Sequence, residues 1–470
     1  MTGYIGIDQG SHSSRAVLFN ESGEILNTAT QAIDLVTHGN HAEHDAQQLL
    51  ESVKAVINQL FADLDPGTIS SIKACGIATQ RSTMLAWDSS GQALSPALSW
   101  RDTRAAEHVK SLAEQSADIH RLTGLPLAPY YSASKMRWLL EHNTDVSAHS
   151  EKDLRLSPLA SFLLFNLLDE KPFLIDFSNA QRTQLFDVSL RDWSQRLCEG
   201  FGVDRKYLPA CKPMCSPYGT LAGTDIPVTA VCGDQNAAIY GAGELDSRAA
   251  LINLGSGAFV LRQLPKYIHS DSQLTGISYA EGHHVHYIRE ATVNGAGNAL
   301  TWATSELGIR HDPETLNQWL SEVTEPPLFI NTIGGLGTPW MRDDIPAGFV
   351  GEMNSSDAEQ CVAILESIVF LVQMNLDLMI SELSIDSLRV SGGLSQLDGL
   401  CQKLSSLSGL ELVRSESAEA TARGVAWLAA GRPEEWSSLA TVEVFHPRDD
   451  TNLKQRYKRF QQELNYRLEN

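Results

Sequence analysis

Short apolar runs separated by polar turns open the chain. Tyr4-Ile5-Gly6-Ile7 is a β-rich run ending at Asp8, Gln9 to Ser14 is a small polar turn, and Arg15-Ala16-Val17-Leu18-Phe19 resumes β-type sequence. Asn20 to Gly23 then turns the chain into Glu24-Ile25-Leu26. Strand, turn, strand, turn, strand predicts an antiparallel meander, not the strand-to-helix crossover of a dinucleotide-binding fold. The pattern repeats from Ala249, where Ala250 to Leu254 leads through Gly255-Ser256-Gly257 into Phe259-Val260-Leu261. The repeat predicts two related lobes with a boundary near residues 242–248.

Helical spacing of apolar residues appears at Leu49, Leu50, Val53, Val56, Ile57 and Leu60, and again over residues 105–115, 133–142, 358–381 and 418–430. Residues 72–77 and 84–87 are β-prone, and 200–225, with Gly, Pro and little periodicity, reads as loop and rim. Ile226 to Val231 leads into Gly233-Asp234-Gln235 and a small-residue helix start over 236–243. Ser387 to Val390 precedes the turn Ser391-Gly392-Gly393, and the last twenty residues read as a solvated terminal helix.

Composition narrows the function classes. At 470 residues the chain is large enough for two or three domains with real cores. Its net charge of −21 repels a phosphate backbone, which argues against nucleic acid or an anionic membrane as a partner. The start, MTGYIGIDQG, lacks the basic and apolar regions of a signal peptide, and the apolar stretches LLFNLL and IVFLV are too short to cross a bilayer. Seven scattered Cys make no disulfide framework, and Cys211 and Cys215 have no second pair or nearby His to complete a zinc site. These features predict a cytoplasmic protein.

Polar glycine turns after strands present successive N–H groups that can hold phosphate oxygens without a basic patch. One such turn is commonplace. Two in equivalent places of related lobes, Gly10 to Ser14 and Gly255 to Gly257, point to a phosphate clamp. Asp8, at the mouth of the first, would repel phosphate unless a cation intervened, which suggests Mg2+. Arg15 could offset phosphate charge or serve only as an ion-pair partner. Asp234 has the setting of a general base, able to orient an attacking hydroxyl and accept its proton. Gln80 to Thr83 and Trp100 to Arg104 offer polar groups for a hydroxyl-rich substrate. Trp100, Tyr130 and Phe259 are candidate walls for it, although each taken alone suits a core better than a pocket.

Taken together, these residues resemble the FGGY carbohydrate kinases, and among them the glycerol kinases. The resemblance runs from IGIDQGSHSSRAVLF through GIATQRSTMLAWD, SWRDTRA, GLPLAPYYSASKMRWLL, NAQRTQLFD, VCGDQNAA, NLGSGAFVL and GGLGTPW to LRVSGGLSQ. It implies an α/β protein of two actin/hexokinase/RNase H-like domains, 1–244 and 245–470, flanking a cleft for ATP, Mg2+ and a small sugar or polyol. Homodimerisation is left open. By this resemblance Asp8 lies beside the metal. Ser11, His12, Ser13 and Arg15 belong to the first phosphate loop, and Gly255 and Ser256 to the second. Gly297, Thr301, Gly392 and Gly393 match nucleoside positions. Asp234 matches the catalytic base, and Arg81, Ser82, Trp100, Tyr130, Asp234, Gln235 and Phe259 fall at substrate-pocket positions. The arginine at position 81 is followed in glycerol kinases by a substrate-binding glutamate, and here by Ser82. That change predicts a larger acceptor, or weaker glycerol binding. His12 stands where threonine is usual, and its role is open. Leu397 replaces an asparagine near the adenosine. The expected function is ATP-dependent phosphorylation of a small sugar or polyol; the alternatives are glycerol phosphorylation, a silent sensor or scaffold on the same fold, and an actin-like ATPase.

Overall fold

The computed structural model describes residues 2–62, 64–149, 152–244, 246–351, 354–415, 419–436 and 441–470. The opening meander forms β1 (Gly3–Gln9), β2 (Ser13–Asn20) and β3 (Ile25–Ala32), paired antiparallel with Asp8 opposite Arg15. β4 (Ile72–Thr79) lies parallel to β1, and β5 (Cys215–Thr220) and β6 (Pro227–Gly233) continue outward, β6 parallel to β4. The second meander forms β7 (Ala249–Leu254) and β8 (Ala258–Leu264), extended by the hairpin β9 (Leu274–Glu281) and β10 (His284–Val293). β11 (Ser387–Ser391), β12 (Glu411–Ser415) and β13 (Thr441–Phe445) complete it. One thirteen-stranded sheet results, in the order β13-β12-β11-β7-β8-β10-β9-β5-β6-β4-β1-β2-β3. Within it β3-β2-β1-β4-β6 and β10-β8-β7-β11-β12 repeat one arrangement, an antiparallel trio followed by two parallel strands.

Each lobe has its own large core, with Ile5, Ile7, Val17, Leu49, Val53, Ile77 and Val231 in the first and Ile252, Val260, Leu365, Val369, Leu376 and Val390 in the second. The helix Ala420–Ala429 crosses back and buries Ala422, Val425 and Ala426 in the first core. Its approach is close. A Cβ on Gly6 would lie 1.9 Å from the Ala422 carbonyl oxygen, and one on Gly76 would lie 2.3 Å from that of Val425.

Four local expectations are corrected. The stretch 200–225 is not only rim. Its residues 215–220 form β5, which joins the two halves of the sheet through Cys215 and Glu281, a strand disguised by Pro217 and Gly219. The terminal helix Thr451–Glu469 is not merely solvated. Leu453, Tyr457, Phe460 and Leu464, three or four residues apart among charged neighbours, enter the second core. The helix after Gly233 stops at Ala238. The IVFLV stretch belongs to the 26-residue helix Asp357–Glu382, which continues past the polar Glu366, Ser367 and Gln373 and by length and composition alone could cross a bilayer. Here its apolar face is buried in the second core. The expected helix start at Ala418, and Leu245 at the lobe boundary, fall outside the described residues.

Candidate active site

Parallel strands in register end at one edge, and that edge gathers the chemistry of the first lobe. Asp8 pairs with Ala78, and Ala78 with Cys232. Consequently Asp8, the segment Gln80-Arg81 and Asp234 emerge side by side. Gln80 ties the edge together. Its N–H donates to the Gln9 carbonyl at 2.8 Å and its Nε2 to Gly10 O at 3.2 Å. Its Oε1 accepts from Thr83 Oγ1 at 2.9 Å and from Ser11 Oγ at 3.4 Å. Ser11 Oγ accepts in turn from Trp100 Nε1 at 2.9 Å, so the exposed Trp100 ring is anchored to the first glycine turn. Ser13 accepts the Gly10 N–H at 3.0 Å, closing that turn, and His12 points outward, exposed.

Arg81 and Arg182 converge on one carboxylate from the other lobe, Glu290 on β10. Arg81 donates through Nη1 and Nη2 to both Glu290 oxygens at 3.3 and 3.4 Å, and Arg182 Nη2 donates to Oε2 at 2.5 Å. Burial alone would raise the Glu290 carboxyl, but Arg182 and Arg81 together bring it below its ordinary value. Arg81 Nη1 also donates to Asn236 Oδ1 at 3.3 Å, and its Nε lies 3.8 Å from Asp234 Oδ1. Asp234 and Glu290 differ in access. The Asp234 side chain is 30% exposed and that of Glu290 is 2% exposed, so only Asp234 is reachable by an incoming molecule. Burial raises the Asp234 pKa against the pull of Arg81 and of the Gln235 N–H, which donates to Oδ1 at 2.7 Å. Burial and the nearby Asp234 charge push Asp8 up to about 7, with Arg15 opposing.

Gln235 leaves its Oε1 buried without a partner among the described residues. The Tyr130 ring lies tilted against that of Tyr131, with centroids 4.4 Å apart, and half-buried Phe259 packs against the first core. Ser82 is buried, at φ +64°, and its hydroxyl donates to the Arg182 carbonyl at 3.2 Å. Arg15 is engaged too. Its Nη1 donates to both oxygens of Glu419 at 2.7 and 2.6 Å, at the start of the crossing helix.

The second lobe repeats the edge with backbone in place of side chains. β7 and β11 are parallel with Asn253 beside Ser391, which brings the turns Gly255–Gly257 and Gly392–Gly393 to one end. The helix Gly297–Leu307 abuts the first of these: Gly297 N–H donates to Gly255 O at 3.0 Å and Asn298 N–H to Ser256 O at 2.9 Å. Thr301 lies exposed one turn further on, its hydroxyl donating to Gly297 O at 3.3 Å.

Two family models match the chain: the FGGY family of carbohydrate kinases, N-terminal domain, over residues 3–241, and the C-terminal domain of the same family over 250–431. The chain belongs to the FGGY family of carbohydrate kinases. It is therefore a carbohydrate or polyol kinase, a phosphotransferase with two actin/hexokinase-like domains. A glycerol kinase of Streptococcus pyogenes is 30% identical over 458 residues, covering 93% of this chain and 90% of the relative. The crystal structure of Plasmodium falciparum glycerol kinase with ADP superposes with a TM-score of 0.90 at 25% identity, covering 100% and 98% of the two chains. A gluconate kinase from Lactobacillus acidophilus shares the fold, with a TM-score of 0.88 at 18% identity over 99% and 98%.

Several groups at this edge escaped the sequence reading: Arg182, Glu290, Asn236 and Glu419. Arg182 lies within the NAQRTQLFD stretch. Glu290 carried no local signal, because its partners are more than a hundred residues away.

Among the described residues no cluster of three acidic, His or Cys side chains could hold a metal unaided. Mg2+ commonly takes one or two carboxylates and draws its remaining oxygens from substrate phosphate and water. Asp8, a carboxylate beside the first glycine turn and close to a second carboxylate, fits that donor set.

Proposed function

We propose that the protein transfers the γ-phosphoryl group of ATP to a hydroxyl of a small sugar or polyol. Residues 1–244 hold the acceptor, the base and the first phosphate turn, and residues 245–470 hold the nucleotide. The observation that carries this reading is the reachable Asp234 carboxylate, set between Arg81 and the unpaired Gln235 Oε1 on the same edge as Asp8. Asp234 accepts the proton of the acceptor hydroxyl as its oxygen attacks in line. Arg81 and Gln235 orient the other hydroxyls, with Trp100, Tyr130 and Phe259 as walls. Ser11, His12, Ser13 and the backbone of the first turn take phosphate oxygens opposite Gly255 and Ser256. Gly297, Thr301, Gly392 and Gly393 surround the nucleoside. Mg2+, when bound at Asp8, neutralises charge on the phosphate oxygens. Arg15 joins the phosphates by exchanging its Glu419 contact. Closing the lobes excludes water as a competing acceptor. Free thiols and ATP use fit a cytoplasmic enzyme.

Glycerol is the second reading, favoured by the 30% identical relative and opposed by Ser82 in place of glutamate. An ATP-consumption screen over glycerol, tetritols, pentitols, ketopentoses and hexoses separates the two. Preference for a larger acceptor supports the first, a wide margin for glycerol supports the second, and no turnover with any acceptor contradicts both and favours a silent sensor.

A further inference from the structure

Lys135 is completely buried, and the chemistry above makes no use of it. It projects from the helix Ser132–His142, and its ammonium donates to three backbone carbonyl oxygens: Ser82 at 2.8 Å, Ser99 at 2.8 Å and Tyr130 at 2.9 Å. The three N–H donors of a lysine thus meet three acceptors. None of these partners is a carboxylate. Burial pulls the Lys135 ammonium down to about 7 against the charge of Asp102, which is itself occupied by Arg104 and by the Ala42 N–H.

The three carbonyls are not scattered. Ser82 follows Arg81, Ser99 precedes Trp100, and Tyr130 is itself a pocket wall. Ser132, on the same helix, adds a hydroxyl donor to the Ser82 carbonyl at 3.2 Å. Ser82 has the left-handed backbone that a non-glycine residue adopts only when its surroundings over-determine it. An apolar side chain could fill this space without desolvating a charge, but it could not join three carbonyls at one point.

We propose that Lys135, seconded by Ser132, is a positioning residue for the acceptor: it clamps the three segments bearing Arg81, Trp100 and Tyr130 into one pocket and touches neither acceptor nor nucleotide. This rests on the acceptor-pocket reading given above. The test uses the full-length enzyme with the best acceptor of the screen, and measures kcat, acceptor KM and the Kd for ADP. Lys135→Met is expected to raise acceptor KM about tenfold or more, while the ADP Kd stays within about twofold of wild type. Ser132→Ala, which loosens one segment only, is expected to raise acceptor KM about threefold. A folded Lys135→Met enzyme with wild-type acceptor KM, whatever its melting temperature, overturns the proposal, because a purely structural lysine would change stability alone. Where Lys135→Met yields no folded protein, Ser132→Ala decides, and an unchanged KM overturns it. Arg81→Ala is the control. If it leaves acceptor KM unaltered, the pocket reading itself fails; if it raises KM and the other two variants do not, the positioning inference alone fails.

Discussion

The two edges of the cleft are built from different materials. In the first lobe the proposed acceptor side is a web of buried side chains: Arg81 and Arg182 share Glu290 of the second lobe, Lys135 holds three carbonyls, and Gln80 links Thr83, Ser11 and Gly10. In the second lobe the proposed nucleotide side is almost bare backbone, with Gly255, Gly297, Gly392 and Gly393 at the ends of strands or helices. Side-chain recognition can be retuned one residue at a time, and Ser82, where the resemblance to glycerol kinases implies a glutamate, would be such a change. Backbone recognition is insensitive to neighbouring side chains, but it fails wherever a Cβ intrudes. Substitutions on the acceptor side should therefore alter which alcohol is used, and those on the nucleotide side should alter whether ATP binds at all.

The sharpest way to break that division is at Asp234, which should affect chemistry without affecting the nucleotide. Asp234→Asn keeps shape and removes the base, so kcat should fall about 10²–10⁴-fold, with ADP affinity measured by titration unchanged. Near-normal turnover would remove Asp234 from the reaction. The pH profile tests the same group. Asp234 must be a carboxylate to act, and burial raises its pKa above the ordinary carboxylate value. Activity is therefore present above that raised value and lost as pH falls through it, so the acid limb of kcat/KM should lie above the ordinary carboxylate range near ~4. A limb near that ordinary range would mean that the pocket does not desolvate Asp234 in the working enzyme.

Glu290 probes the web itself. Glu290→Gln leaves Arg81 and Arg182 buried without their shared anion, and removing one partner of a buried ion pair costs about 3–5 kcal/mol. Denaturant unfolding should show a loss of that order, and folded enzyme should bind the acceptor more weakly. The nucleotide Kd of that folded fraction should not move. If it moves as much as the acceptor KM, the two edges are energetically one site and the contrast between them dissolves.

How much of this could be read from the sequence follows the same contrast. The glycine turns and the strand ends were legible because strand-turn-strand is a local pattern, and both meanders, Asp8, Arg81 and Asp234 fall where it predicts. The Arg81–Glu290–Arg182 web was not legible, because it is assembled by β10 of one lobe meeting segments of the other. Nothing near Glu290 in the chain marks it. β5 was hidden by Pro217 and Gly219, and the buried stripe of the last helix by the charges around it. Ser82 shows a subtler gap. Its identity suggested spare room beside the acceptor, whereas its hydroxyl is turned to the Arg182 carbonyl. A residue's identity reveals which contact is lost but not where the replacement points.

The mildest test sets two adjacent glycines of the nucleotide side against each other. Gly392 has φ +92°, and a Cβ there would lie 2.6 Å from the Leu254 carbonyl oxygen, a backbone atom that cannot swing aside. Gly393 faces open space, with no heavy atom beyond its chain neighbours within 4 Å of its would-be Cβ. Gly392→Ala should therefore cost about 1–3 kcal/mol, from the left-handed backbone together with the clash, and should weaken ADP binding by shifting the turn off the end of β11. Gly393→Ala should change stability by less than about 0.5 kcal/mol. If its new methyl group instead weakens ADP binding several-fold in titration, bound nucleotide occupies that open space, and the exposed glycine is a contact surface. If it does nothing while Gly392→Ala weakens binding, the turn acts through its shape alone, which is the behaviour expected of recognition by backbone.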